Sequence, residues 1–228
     1  MTIGFTIAPI RRRVEPGTVA AFRRLPVANV SDCMSRMFAG GAKLRPMHLK
    51  GVLAGPAFTV RTRPGDNLMV HKAIDIAAPG DVVVVDAGGD LTNAIIGEII
   101  VSHAIKRGLA GIVINGAIRD FGTIRRQDWP VYAAGVTHRG PYKDGPGEIG
   151  VALAFDGMVI EPGDLVLGDE DGLLCVPYEA TAKVLAEAQA KHAAEEKTLA
   201  AIAAGEPTDR SWIDKTLDRL GCEIRRSS

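Results

Sequence analysis

The sequence predicts one α/β domain built on a mixed sheet, with a helical arm at its C-terminus. Between residues 55 and 133 short β-branched runs alternate with helical stretches, and beyond Gly135 strand follows strand until Pro177 opens a long helix rich in Ala, Glu, Lys and Leu. Size agrees. At 228 residues, with 46% hydrophobic and 24% charged side chains, the chain can bury most of its apolar surface but barely accommodates two domains. The expected organisation is a single domain over 1–228: an N-terminal helical lead-in at 1–40, an α/β core at 41–177 and the C-terminal helical arm at 178–228.

Each element has its own warrant. Pro16 to Leu25 sets Val19 and Phe22 among arginines as a short helix, and Ser31 is a residue type that caps a second one through Phe38. Ala57 to Thr62 alternates as a strand, and Asn67 to Ala77 has helical spacing. Asp81 to Asp86 holds a run of valines that requires burial on both faces of a sheet. Residues 92–107 read as a helix, Gly111 to Asn115 as a buried strand, Asp120 to Gln127 as a short helix, and Trp129 to Ala133 as a strand entered through Pro130. Val151 to Phe155 and Met158 to Glu161 flank Asp156-Gly157, a pair suited to the positive angles of a type I′ turn. Leu165 to Gly168 and Leu173 to Val176 continue the β pattern, a helix follows over 178–203 until Gly205, and a last one spans Asp209 to Leu220. Pro-Gly-Asp recurs at 64–66, 79–81 and 162–164. This is turn chemistry, in which proline sets one backbone angle and glycine supplies the next.

Composition narrows the function. Lys plus Arg equals Asp plus Glu at 27 each, so no basic field exists to draw nucleic acid or an anionic membrane, and a small ligand held locally is expected instead. Cys33, Cys175 and Cys222 are odd in number and widely spaced, which argues against a disulfide framework or zinc ribbon. Ile3 to Ile10 precedes Arg11, Arg12 and Arg13, the reverse of an export signal, so a cytoplasmic protein is expected. No apolar run reaches the roughly 18 residues of a membrane span. His48, His71, His103, His138 and His192 form no local zinc motif and read as surface or core imidazoles. Gly145 to Gly150 spells G-x-G-x-x-G but precedes a strand, the wrong context for a dinucleotide loop. Asp86-Ala87-Gly88-Gly89 does follow a strand, yet no further glycine lets a cofactor approach.

The informative stretch joins Gly97-Glu98-Ile99-Ile100 to Arg119-Asp120, with twenty residues between Glu98 and Arg119. A glycine at the start of an apolar helix lets a ligand reach unpaired N–H groups, which suit a carboxylate. Arg119 offers a planar fork for the same kind of anion, and Asp120 a hard oxygen for a divalent metal. By residue type alone a plainer account also stands: Gly97 allows close helix packing, Glu98 is a solvated first-turn acid, and Arg119 with Asp120 forms a local ion pair.

With its surroundings, the pattern resembles the class II pyruvate aldolases acting on 4-hydroxy-4-methyl-2-oxoglutarate and 4-carboxy-4-hydroxy-2-oxoadipate, together with their non-aldolase relatives, the regulators of ribonuclease E activity. The residues that carry the resemblance are Glu98 and Arg119-Asp120 at the family's spacing, the strand Pro-Gly-Asp-Val-Val-Val-Val-Asp at 79–86, and Gly-Asp-Glu-Asp-Gly-Leu-Leu-Cys-Val-Pro at 168–177. It spans most of residues 25–200. In the family the acid is more often Asp than Glu. The resemblance implies a layered α-β-β-α sandwich like that of phosphohistidine swivelling domains, assembled as a homotrimer or homohexamer. It also implies a Mg2+ or Mn2+ ion on Asp120, a 2-oxo acid substrate bound by Arg119 and the backbone of Gly97, Glu98, Ile99 and Ile100, and a contribution from Glu195 or Glu196 of a neighbouring subunit.

Aldol cleavage would leave a pyruvate enolate, and decarboxylation of oxaloacetate leaves the same species, so that side activity is expected too. Glu98 is the expected holder of the water that moves the proton. No lysine lies inside an apolar strand where burial would lower its pKa, which argues against a Schiff-base mechanism. The main alternative is a non-catalytic protein that binds and inhibits ribonuclease E; those relatives carry Gly in place of Glu98. A methyltransferase, the third class, would need a nucleotide-sized glycine pocket.

Overall fold

A computed structural model describes residues 3–223. Its elements are, in chain order, β1 (Phe5–Ile7), α1 (Pro16–Phe22), α2 (Val27–Asp32), β2 (Arg45–Pro46), β3 (Leu53–Thr62), α3 (Leu68–Ile76), β4 (Val82–Asp86), β5 (Ala94–Ile96), α4 (Glu98–Lys106) and β6 (Gly111–Ile118). They continue with α5 (Phe121–Arg125), β7 (Val131–Val136), β8 (Gly147–Ile149), β9 (Leu153–Phe155), β10 (Met158–Ile160), β11 (Leu165–Gly168), β12 (Leu173–Val176), α6 (Thr181–Ala203) and α7 (Trp212–Arg219). Two compact units result, Met1–Gln189 and Ala190–Ser228, the second holding the end of α6 and all of α7.

In the first unit β3, β4, β6 and β7 lie side by side in parallel. Crossovers between parallel strands are right-handed, so strands added in one direction place α3, α4 and α5 on one face. Alternation then sorts the valines. Val83 and Val85 of β4 and Ile112 and Ile114 of β6 join Met69, Ala73, Ile100 and Ile124 in the helix-facing core. Val82, Val84 and Val113 point the other way and pack with Leu153, Ile160, Val166 and Cys175. Beyond that second β layer, Leu165, Leu167, Leu174 and Val176 meet Phe22, Val30 and Val184 of α1, α2 and α6. The order is helix, sheet, sheet, helix, as expected. Strand β3 serves both β layers: Leu53–Pro56 pair with β11, and Ala57–Arg61 with β4.

The three Pro-Gly-Asp turns share one device. Asp66, Asp81 and Asp164 are all buried. Each carboxylate accepts a nearby backbone N–H at 2.9 Å, from Leu68, Ala78 and Glu161 respectively. Each is also paired with an arginine: Arg63 at 3.1 Å, Arg13 at 2.9 Å and Arg12 at 3.1 Å. Burying a carboxylate is costly unless it is paired and hydrogen-bonded, and all three are. The hairpin expected at Asp156-Gly157 is present, with φ of 49° and 85° at its two loop residues and Phe155 opposite Met158.

Three expectations need correction. The N-terminal lead-in is not wholly helical, because Phe5–Ile7 forms β1, a strand parallel to β8. The second helix runs over Val27–Asp32 rather than from Ser31 to Phe38, since the Val27 N–H is capped by the Asp169 carboxylate at 2.9 Å, a partner far away in sequence. Residues 92–107 are not one helix: Ala94–Ile96 extend as β5 beside β6, and the helix begins only after Gly97.

Candidate active site

Because β5 and β6 are parallel and end level, Ile96 against Ile118, the residues that follow both emerge at the same place. Gly97 follows β5 and caps α4; Arg119 and Asp120 follow β6. The Arg119 N–H donates to the Ile96 carbonyl at 3.0 Å, and Asp120 Oδ2 accepts the Glu98 N–H at 2.9 Å. A carboxylate thus sits at the amino end of α4, where unpaired N–H groups and the helix dipole favour negative charge. Arg119 Nε lies 3.7 Å from the same oxygen, with both side chains about two-fifths exposed. Among the described residues no hydrogen bond reaches Asp120 Oδ1, so a hard oxygen remains free.

Asp120 adopts the left-handed conformation, φ 56° and ψ 31°, which Asp tolerates better than most residues. Its carboxylate lies against Gly97. A Cβ at Gly97 would collide with Asp120 Oδ2 and press on Arg119 Cγ and Nε at 3.0 Å. Glycine is required there by close approach, not by backbone angle, since its φ of −146° is open to any residue. The first backbone bond of α4 runs from Val101 N–H to the Gly97 carbonyl at 3.2 Å, so the Ile99 and Ile100 N–H groups lie ahead of that ladder. Glu98 and Ile99 are exposed, whereas the Ile100 side chain is buried in the core.

Two cavities meet at Arg119. The smaller, about 90 Å³, is walled by Gly97, Ile99 and Arg119 and also by Asn67, His71 and Lys143. The other, about 300 Å³, has Arg119, Asp120, Val136, Thr137 and His138 on its walls. The sequence predicts no site role for Asn67, His71 or Lys143: His71 reads there as a surface or core imidazole and Asn67 as the start of a helix. Asn67 is 2% exposed; its Nδ2 donates to the Ile95 carbonyl at 2.9 Å, while its Oδ1 is buried without a partner. Burial, and then the charge of Lys143, hold the His71 imidazole below its ordinary pKa, which favours the neutral ring. Asp66 fixes this wall by accepting the N–H groups of Leu68, Asp144 and Gly145. The only local signal in the sequence was the four-residue spacing of Asn67 and His71, one helical face; Lys143 arrives from a loop by tertiary folding.

Among the described residues no three His, Cys, Asp or Glu side chains converge as metal ligands. Asp120 alone, with a free hard oxygen, fits a cation that takes one protein carboxylate and completes its shell with water and substrate, as Mg2+ often does. Glu195 lies in the second unit, on α6, and pairs with Lys191 at 2.9 Å; Glu196 is 3.6 Å from His192 Nε2. No helix among the described residues is long and apolar enough to cross a membrane.

A family model described as RraA-like, Aldolase/RraA, matches residues 27–175, a span that includes Gly97, Glu98, Arg119 and Asp120. The chain belongs to the RraA-like family. A protein of Halalkalibacterium halodurans, provisionally named 4-hydroxy-4-methyl-2-oxoglutarate aldolase, is 36% identical over 205 residues, covering 90% of this chain and 98% of its own length. The 4-hydroxy-4-methyl-2-oxoglutarate aldolase of Thermus thermophilus is 34% identical over 148 residues, 63% of this chain and 90% of that protein. A solved structure of the RNA-processing inhibitor RraA, also from Thermus thermophilus, superimposes with a TM-score of 0.62 at 32% identity, covering 67% of this chain and 92% of that one. The RraA-like family therefore includes both names that the sequence resemblance anticipated.

Proposed function

We propose that this RraA-like protein is an aldolase that cleaves a 4-hydroxy-2-oxo dicarboxylic or tricarboxylic acid to pyruvate and a second 2-oxo acid, pyruvate or oxaloacetate. One observation carries the reading: a guanidinium, a carboxylate with a free oxygen and a glycine-backed helix N-terminus converge where β5 and β6 end. The names of the aldolase relatives support it.

Cleavage breaks the C3–C4 bond and leaves its electron pair on C3, next to the C2 ketone, as an enolate; the C4 hydroxyl loses its proton and becomes the second ketone. In this reading the Ile99 and Ile100 N–H groups hold the C1 carboxylate and Arg119 grips the oxygens of the pyruvate half, adding positive charge where the enolate develops. Asp120 would hold Mg2+ or Mn2+, which when bound supplies Lewis-acid polarisation of the 2-oxo group. Glu98 holds the water that takes the hydroxyl proton and returns it to C3, so the proton balance closes within the site. Lys143, on the same wall as a neutral His71, faces the remaining carboxylate of the substrate, and the unpartnered Asn67 Oδ1 can accept a hydrogen bond from a substrate hydroxyl. Decarboxylation of oxaloacetate, which yields the same enolate, accompanies the main reaction. The working assembly is a trimer or hexamer in the cytoplasm, with Glu195 or Glu196 of a neighbouring subunit completing the site.

The test is pyruvate release from 4-hydroxy-4-methyl-2-oxoglutarate and from 4-carboxy-4-hydroxy-2-oxoadipate, coupled to lactate dehydrogenase, with and without a chelator. Release that stops on chelation and returns with Mg2+ or Mn2+ is expected. No release from either substrate would leave the second reading, inhibition of ribonuclease E by binding, which the inhibitor's similar structure supports and a pull-down against that enzyme would detect.

A further inference from the structure

A larger cavity, about 550 Å³, lies away from Arg119, at the end of the sheet where β4 begins. Its walls are α1 with the residues leading into it, the start of β3, and the Pro79-Gly80-Asp81 turn. Val19, Ala20, Pro56 and Pro79 give it an apolar lining, and three guanidinium groups stand around it: Arg13, Arg23 and Arg24. Their situations differ. Arg13 is paired with Asp81 through Nε and Nη2, at 2.9 and 3.1 Å. Arg23 donates to the Ala54 carbonyl at 3.0 Å, a neutral acceptor that leaves its charge uncompensated. Arg24 forms no ion pair with any described carboxylate, and Glu15, the one other acid on the wall, forms none with any described cation. Three arginines against Asp81 and Glu15 leave the cavity with an excess of one positive charge.

We infer that this cavity is a second ligand site, independent of the aldolase reading, for a small amphiphilic carboxylate whose chain lies along the Val19, Pro56 and Pro79 surface and whose head pairs with Arg24 and Arg23. Guanidinium pairs with carboxylate through two parallel bonds, the strongest common form of this contact. The volume falls within the roughly 300–1,000 Å³ of small-molecule sites, and an apolar wall with a few convergent polar groups is their usual make-up. Neither half of the ligand suffices alone: an inorganic anion leaves the apolar wall wet, and an uncharged chain leaves both cations unanswered.

The probe is decanoate, with decan-1-ol as its uncharged counterpart, titrated calorimetrically into the intact protein. Decanoate is expected to bind once per chain, with decan-1-ol at least about ten-fold weaker. Arg24→Glu reverses a surface charge, and Ala20→Trp fills the cavity from its exposed side; each is expected to weaken decanoate by at least about ten-fold without changing the melting temperature. Absence of decanoate binding, equal binding of the alcohol, or wild-type affinity in either variant overturns the assignment. So does a change in sedimentation of Ala20→Trp without decanoate binding to the wild type, because the cavity would then be a contact between copies of this chain.

Discussion

At Gly97 the missing side chain is where the Asp120 carboxylate and the Arg119 stem lie. Gly97→Ala is therefore expected to push both groups aside, and a displacement near 1 Å can cost about 100-fold in rate. Because Asp120 and Arg119 are partly exposed, the same substitution should shift the melting temperature by no more than about 2–4 °C. Wild-type turnover in Gly97→Ala, measured by coupled pyruvate release, would show that the close approach is incidental. His71 allows a second test, on pH. Its folded pKa is lowered below 6.5, chiefly by burial, so below 6.5 the unfolded chain binds the proton more readily than the folded one. Stability should therefore fall as pH drops through 6.5 toward the lowered folded value. The expected result is a melting temperature that declines from about pH 7.5 to about pH 5 with a shallower slope in His71→Gln than in the wild type.

Among the elements, the turn at Asp66 matters most to the site, because one buried carboxylate ties the start of α3 to the segment at Asp144 and Gly145. Asp66→Asn removes the charge that answers the half-exposed Arg63 and leaves a buried N–H without a good acceptor, at a cost of roughly 1–3 kcal/mol. The melting temperature should drop by about 5 °C. As the segment carrying Lys143 loosens, KM should rise more than kcat falls; an unchanged KM would detach this turn from substrate binding. Element by element, the sequence was readable where the signal is local. The valines of β4 announce a strand buried on both faces, and Asp156-Gly157 sets its own hairpin. It was unreadable where a distant partner decides. The three residues of β5 continue into Ile99 and Ile100 with helical spacing, and only pairing with β6 makes them a strand. The start of α2 depends on Asp169, and Lys143 reaches the wall through Asp66.

Across the first unit, the layered order follows from one alternation repeated in β4, β6, β11 and β12, each of which sends successive side chains into different cores. Such strands have no solvated face, so a charged residue at Val84 is expected to prevent folding rather than alter function. The parallel strands also explain why the site was legible in part. Their carboxyl ends are where a glycine-started helix and an Arg-Asp pair can meet, and both were visible as spacing, whereas their contact at 2.9 Å was not. The central claim is that this meeting point stabilises a pyruvate enolate. The most direct test follows exchange of the pyruvate methyl protons for deuterium by proton NMR, with Mg2+ present, for the wild type and Arg119→Lys. Exchange by the wild type, slowed about ten-fold or more in the variant, is the expected result. Folded wild-type protein that leaves the methyl signal undiminished, or exchange indifferent to Arg119→Lys, would contradict it.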